Sequence, residues 1–108
     1  MHILFDQGTP VQIRKFLEGH NVRTAREQGW SDLLNGELLR VAEAEGFDVL
    51  LTTDKNIAYQ QNLRGLKLAI VVLGKGNWPL IRPVVPKIVA AVLAARPGSY
   101  TVVDVPSL

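Results

Sequence analysis

Two aspartates that follow apolar stretches of the chain are the first candidates for chemistry. Asp6 comes directly after the apolar run at residues 3–5, and Asp54 ends the run at residues 49–53. A third acid, Glu37, stands near the start of a predicted helix. Converging carboxylates repel one another and a hard dication relieves that repulsion, so the three acids predict a Mg²⁺ site. A divalent ion held by carboxylates suits phosphodiester hydrolysis.

Each of these acids also has a purely structural interpretation. The helix dipole favours acids at a helix N-terminus, so Asp6 and Asp54 can instead cap the segments that follow them. The same effect accounts for Glu37 in the first turn of its helix. No metal motif of fixed spacing is present, so spacing alone leaves both interpretations open.

The elements that position these acids follow from the hydrophobic pattern. Strands are predicted at residues 3–5, 21–24, 49–53, 68–73 and 100–103. Helices are predicted from Pro10 to a stop at Gly19 or Asn21, and at residues 36–45, 57–63 and 81–95. Apolar runs without alternation are typical of strands covered on both faces. The alternation of strand and helix predicts one three-layer α/β/α domain over residues 1–108, with a mainly parallel sheet of about five strands.

Local signals give the expected helix starts and buried faces. Thr9 is expected to cap the first helix, before Pro10, and Asn35 is expected to cap the second. Helical spacing predicts an inward stripe on the first helix: Val11, Ile13, Phe16 and Leu17. The last helix is expected to pack inward through Val84, Val85, Ile88, Val89, Val92 and Leu93.

In an open α/β sheet, ligands bind beyond the carboxyl ends of the strands, which is where Asp6 and Asp54 are expected. Thr53, Lys55 and Asn56 flank Asp54 and are candidates for support or substrate contact. Gln61 lies in a run of three side-chain amides, Gln60-Gln61-Asn62, which is expected either to contact a nucleic-acid backbone or to form a solvated helix face. Four basic residues are expected either to attract phosphate around the acids or to form ordinary surface: Lys55, Arg64, Lys67 and Lys75.

Composition narrows the class of protein. The absence of cysteine excludes disulfides, thiolate metal sites and a cysteine nucleophile. No apolar run approaches the roughly 20 residues of a membrane span, and the N-terminus lacks the basic region of a signal peptide. We therefore expect a cytoplasmic protein without a membrane segment. The net charge of +2 permits nucleic-acid binding without arguing for it.

Three short motifs in this order resemble a known family. They are the apolar run ending at Asp6 with Gly8-Thr9-Pro10 behind it, the helix start at residues 35–39, and the run at residues 49–55 that contains Asp54. Together they resemble the PIN-like domain family known as DUF5615, which is related to the nuclease domains of VapC-type toxins. The resemblance covers residues 1–75.

The resemblance implies binding of Mg²⁺ or Mn²⁺, cleavage of RNA, and pairing with a small antitoxin protein. It carries the family's acids onto Asp6, Glu37 and Asp54. The chain departs from the family pattern after the first strand, where relatives commonly read Asp-Glu-Asn and this chain reads Asp6-Gln7-Gly8. It departs again at Asn56, where relatives often have another acid. Fewer carboxylates lower the affinity for a metal, so these departures weaken the expectation of activity.

Two alternatives remain open at this point. One is an interaction module whose reduced pocket no longer cuts and which acts by forming a homodimer or by binding a partner. The other is a receiver-like phosphoacceptor domain with Asp54 as the acceptor. Receivers usually have paired acids after the first strand and a lysine after the fifth, whereas Gln7 follows Asp6 here and no lysine follows residues 100–103.

Overall fold

The chain forms a five-stranded, all-parallel sheet with helices on both faces, which confirms the predicted three-layer α/β/α architecture. The computed structural model describes residues 1–57 and 65–106. The strands are β1 (His2–Phe5), β2 (Asn21–Thr24), β3 (Val49–Thr52), β4 (Ala69–Leu73) and β5 (Tyr100–Val103).

The order of the strands places β1 at a turning point of the fold. Across the sheet the order is β2-β1-β3-β4-β5, so the chain first moves from β1 to one side and then crosses back to the other. This doubly wound order has a crevice beyond the carboxyl ends of β1 and β3, where such folds bind ligands. Asp6 follows β1 and Asp54 follows β3, so the topology brings the two aspartates to this crevice.

Side chains of the central strands are buried on both faces of the sheet, as the unbroken apolar runs predict. One face is covered by the 3-10 helix Val11–Phe16 and by the segment at residues 78–93. The other face is covered by helix α1 (Asn35–Ala44) through Leu38, Leu39 and Ala42. Alternate strand residues feed the two cores, so Leu50 and Leu51 belong to opposite layers.

The helix predicted at residues 81–95 is instead a series of three segments. They are α2 (Trp78–Ile81), a 3-10 turn (Arg82–Val84) and α3 (Val85–Leu93). Pro83 and Pro86 lack the backbone N–H that a continuous helix needs, so the winding changes where they occur. The prediction for Leu93 is also wrong, because its side chain is 47% exposed on the outer side of α3.

The first predicted helix differs in type and in the residues it buries. It is a 3-10 helix with Pro10 at its cap position, while the Thr9 hydroxyl donates to the Leu51 carbonyl at 3.0 Å instead of capping. A 3-10 helix has about three residues per turn, so a stripe drawn for an α-helix does not keep one face. Ile13 and Leu17 are buried as expected, but Phe16 is 43% exposed and Val11 is also exposed.

Part of the predicted helix at residues 57–63 lies outside the described residues, and so do Gln61 and Arg64. Within residues 1–57 and 65–106, no helix has the length and apolar character needed to cross a membrane.

Candidate active site at the carboxyl edge

Asp6 and Asp54 are held together through one buried hydroxyl group. The Thr52 hydroxyl donates to Asp6 Oδ2 at 2.8 Å and accepts the backbone N–H of Asp54 at 3.1 Å. Thr52 is completely buried at the end of β3. Because a buried hydroxyl is costly without partners, these two bonds fix the positions of both acids relative to β3.

The remaining oxygen of Asp6 is also held. Asp6 Oδ1 accepts the backbone N–H of Gln7 at 2.7 Å, and the backbone N–H of Asp6 donates to the Leu51 carbonyl at 2.9 Å. The carboxylate is therefore anchored both to the loop that follows β1 and to the neighbouring strand. Little freedom remains for Asp6 to turn away from the edge of the sheet.

Asp54 is oriented by its own loop and by helix α1. Its Oδ1 accepts the backbone N–H of Asn56 at 2.9 Å, and its Oδ2 accepts the side-chain amide of Asn35. Asn35 was expected to cap α1, but the cap position is Leu34 and Asn35 is the first helical residue. The prediction of a cap is therefore wrong, and the amide instead ties the start of α1 to the strand-end acid.

The pKa of Asp6 is raised above its ordinary value. Burial is the main cause, because it disfavours the charged form, and the negative charge of Asp54 adds to the rise. Hydrogen bonds from Thr52 and Gln7 partly oppose it by stabilising the carboxylate. The two aspartates are thus a partly desolvated pair of like charges, and a bound cation would relieve both costs.

Two glycines let the loops of this edge pack closely. Gly8 has a φ of +92°, and a Cβ there would lie 3.2 Å from the Thr53 hydroxyl. A Cβ at Gly76 would lie 2.9 Å from the Gly8 carbonyl oxygen, which is too close without movement of the backbone. The glycine at position 8, a departure from the family pattern, therefore has a structural reason. Thr53, a predicted support residue, packs beneath these loops.

Glu37 lies in the first turn of α1, exposed, two residues beyond Asn35. Among the described residues, no group of three or more His, Cys, Asp or Glu side chains is placed to hold a metal ion. The structure therefore brings together Asp6 and Asp54 as a pair, and the role of Glu37 as a third ligand or water-orienting base stays a prediction.

The donor set of this pair fits a hard divalent cation. Mg²⁺ is commonly held in proteins by one or two carboxylates, with waters and substrate phosphate completing its shell. Asp6 and Asp54 supply two carboxylates, and among the described residues no positive charge is a cause of the shift in the pKa of Asp6. The residues present therefore fit Mg²⁺ or Mn²⁺ bound through two acids, which would leave the other positions to water and phosphate.

Two clefts flank the pair of aspartates along the edge of the sheet. One, of about 380 Å³, includes Asp6 itself and continues past the end of β2 to Arg14, Arg26 and Glu27. Arg14 forms an ion pair with Glu27, whose pKa is lowered first by the backbone N–H of Thr24 and then by Arg14. Arg26 is exposed, so its guanidinium can meet a ligand in this cleft.

The other cleft, of about 480 Å³, lies beyond the ends of β4 and β5. Lys55 and Lys75 line it together with Tyr100 and Asp104. Lys67 does not belong to this region, because it precedes β4 and lines a different cleft with Met1 and Asp48. Of the two interpretations left open for the basic residues, ordinary surface fits Lys67, whereas Lys55 and Lys75 do lie at the carboxyl edge.

Two residues of the site were missed by reasoning from the sequence. Thr52 was visible as a polar residue inside an apolar strand, and a polar group that must be buried needs a partner nearby. Asn35 carried no comparable signal, because asparagine at a helix start normally indicates a cap. Asn56 contributes through its backbone N–H to Asp54, while its side chain is exposed.

Comparison of the chain with models of known protein families, with curated proteins and with solved structures finds no match. The resemblance to PIN-like domains rests on the three short motifs, and the function has to be argued from the site itself.

Proposed function

We propose that this chain is a Mg²⁺- or Mn²⁺-dependent endoribonuclease of PIN-like type. The observation that carries the proposal is the fixed, partly desolvated pair of Asp6 and Asp54 beyond the carboxyl ends of β1 and β3. Such a pair provides the negative charge that a hard dication requires, at the edge of the sheet where doubly wound folds bind ligands.

In this proposal the chain's own residues divide the work. Asp6 and Asp54 hold the ion, while Thr52 and Asn35 keep both carboxylates oriented. We assign Glu37 to orienting the attacking water and Lys55 to contacting a phosphate of the substrate. When bound, the ion lowers the pKa of a water and stabilises the leaving oxygen in hydrolysis of the phosphodiester.

The proposal extends to the setting of the enzyme. The motifs of residues 1–75 support a toxin that acts on RNA in the cytoplasm and is restrained by a small antitoxin protein. The two clefts beside the aspartates have basic residues at hand, Arg26 on one side and Lys55 and Lys75 on the other, which suits a phosphate backbone crossing the edge.

The test is cleavage of a single-stranded RNA labelled with a fluorophore and a quencher. We expect the purified wild type to cleave it with Mg²⁺ or Mn²⁺ and to stop when the metal is chelated. Combined substitution of Asp6→Asn and Asp54→Asn should abolish cleavage with circular dichroism unchanged. Equal cleavage by the wild type and the double variant would sink the proposal, since it would point to a contaminating nuclease.

A second candidate function is a non-catalytic interaction module that acts through a homodimer or another partner. The observation that favours it is that, within the described residues, two acids rather than three meet at the site. Asn35 and Gln7 bond to Asp54 and Asp6 without adding charge. Calorimetric titration separates the two functions, because a module of this kind binds no Mg²⁺ or Mn²⁺ at millimolar concentrations.

A further inference from the structure

The charges of this chain are unevenly distributed along the sequence. Nine of its ten acids lie in residues 1–54 and the tenth is Asp104, so residues 55–103 contain no acid. The same stretch contains seven basic residues: Lys55, Arg64, Lys67, Lys75, Arg82, Lys87 and Arg96. Such asymmetry favours an anionic partner where basic residues of the stretch share one surface.

Part of this basic stretch forms the wall of an apolar groove on the outer surface of one helix layer. The groove, of about 660 Å³, lies between the 3-10 helix Val11–Phe16 and the start of α3. We call it the α3 groove and define it by its lining residues: Phe16, Arg82, Pro83, Val85, Pro86 and Val89. It is separate from Asp6 and Asp54, since neither aspartate lines it.

Several apolar side chains are exposed in and beside the α3 groove. Phe16 is a half-exposed aromatic residue whose ring lies 6.4 Å from that of Trp78. Pro83 and Pro86 are exposed, and Leu93, one helical turn beyond Val89 on α3, is 47% exposed. Contiguous exposed apolar surface rimmed by polar groups is characteristic of an interaction site.

The rim of the groove is positively charged. The Lys15 ammonium lies 5.3 Å from the centre of the Phe16 ring, Arg82 lines the groove, and Lys87 follows Pro86 in the first turn of α3. None of the described residues that line the groove is acidic. A partner must therefore offer apolar anchors along its centre and carboxylates along its sides.

We propose that the α3 groove binds an acidic amphipathic helix of another protein. Such a helix carries apolar anchors at positions i, i+3, i+4 and i+7 that fill a groove, with its acidic residues meeting the basic rim. The proposal does not depend on RNA cleavage, and it gives the surface a use whether or not the aspartates are catalytic.

Charge argues against a second copy of this chain as the occupant of the α3 groove. In a symmetric pair of copies, Lys15, Arg82 and Lys87 of one copy would face the same basic groove of its partner, and like charges brought together are unfavourable.

The experiment uses the full chain and a fluorescent model peptide of about four helical turns, with leucine at the anchor positions and glutamate elsewhere. We expect saturable binding by fluorescence anisotropy that weakens as salt is added. Phe16→Ser and Arg82→Glu should each weaken it by at least about tenfold, as expected of anchor residues. Both positions are exposed, so circular dichroism should be unchanged.

Lys67→Glu is the matched control, because it makes the same change of charge at the opposite, amino edge of the sheet and should leave affinity within about twofold. A peptide with lysine in place of glutamate should not bind. Absence of saturable binding would overturn the proposal. So would binding by Phe16→Ser and Arg82→Glu with the same affinity as the wild type. Sedimentation showing a dimer that Phe16→Ser dissociates, or anionic vesicles binding where the peptide does not, would also overturn it.

Discussion

The two edges of the sheet both carry acids, and the acids act differently at each edge. At the amino edge, Asp48 accepts the backbone N–H of His2 at 2.8 Å, and Glu43 accepts those of Lys67 and Leu68 at 2.9 Å each. At the carboxyl edge, Asp6 and Asp54 accept backbone N–H groups as well. Bonding to the backbone therefore does not distinguish a structural acid from one that can do chemistry.

The difference lies in what surrounds each carboxylate. Asp6 is partly buried, shares Thr52 with Asp54, and has its pKa raised by burial and by the charge of Asp54. Asp48 is exposed, and Glu43 satisfies two successive donors before β4. The lesson is that two neighbouring, partly buried acids support a cation site better than the mere presence of acids at strand ends.

The largest expected effect comes from neutralising single acids at each edge. Asp6→Asn or Asp54→Asn should reduce metal-dependent RNA cleavage to the level of the buffer, because either change removes one of two charges that hold the ion. Asp48→Asn makes the same chemical change at the amino edge and should leave the rate unchanged. The initial rate of RNA cleavage is measured for each variant at saturating metal. Loss of activity in Asp48→Asn would contradict the claim that the acids of the two edges act differently.

The next largest effect is expected from the hydroxyl that joins the two acids. Thr52→Val keeps the shape of the side chain but removes the donor to Asp6, so the affinity for Mn²⁺ should fall by about 10- to 100-fold, as for other residues that orient metal ligands. Thr52→Ser restores the hydroxyl and should recover most of the affinity. Equal Mn²⁺ affinity in Thr52→Val, measured by calorimetry, would show that the bridge does not position the site.

A smaller effect concerns pH and stability without metal. Because the pKa of Asp6 is raised in the folded state, its contribution to stability is present below the ordinary value of 3.8 and is lost as pH rises through the folded-state pKa. Because asparagine does not ionise, Asp6→Asn does not lose stability in this way as pH rises. Its free energy of unfolding relative to wild type should therefore rise as pH increases from acid to neutral, and then stay level. Urea titrations across this range measure the difference, and a relative stability that falls with pH would contradict the stated cause.

The smallest effect on function is expected at the amino edge. Glu43→Ala leaves the N–H groups of Lys67 and Leu68 without their acceptor and should cost about 1–3 kcal/mol in the free energy of unfolding. Cleavage and metal affinity should not change under conditions where the variant is folded. A shift in metal affinity would mean that the two edges are coupled through the sheet.

Much of the fold was predictable because its signals are local and repeated. The apolar runs around Leu50 and Val71 indicated strands buried on both faces, and the alternation with helices indicated a parallel sheet. The placement of Asp6 and Asp54 followed from the rule that parallel strands end at one edge. The division of residues 78–93 into helical segments was harder to predict, because Pro83 and Pro86 are each compatible with the start of a helix as well as with a break in one.

The details of the site depended on contacts between distant residues. Asn35 is 19 positions from Asp54, and its local context indicated a cap with no reference to the strand end it bonds. The partnership of Thr52 with Asp6 spans 46 positions and likewise appears only once β1 and β3 are paired. Exposure of Phe16 was unforeseen because the stripe was drawn for an α-helix rather than for the 3-10 helix that forms.

The most direct test of the central claim is a Mn²⁺ titration of the free protein followed by water-proton relaxation. The pair of Asp6 and Asp54 predicts one Mn²⁺ per chain at millimolar concentrations or below, lost in both Asp6→Asn and Asp54→Asn and kept in Asp48→Asn. No binding by the wild type, or equal binding by Asp6→Asn, would contradict the assignment of this edge as a cation site.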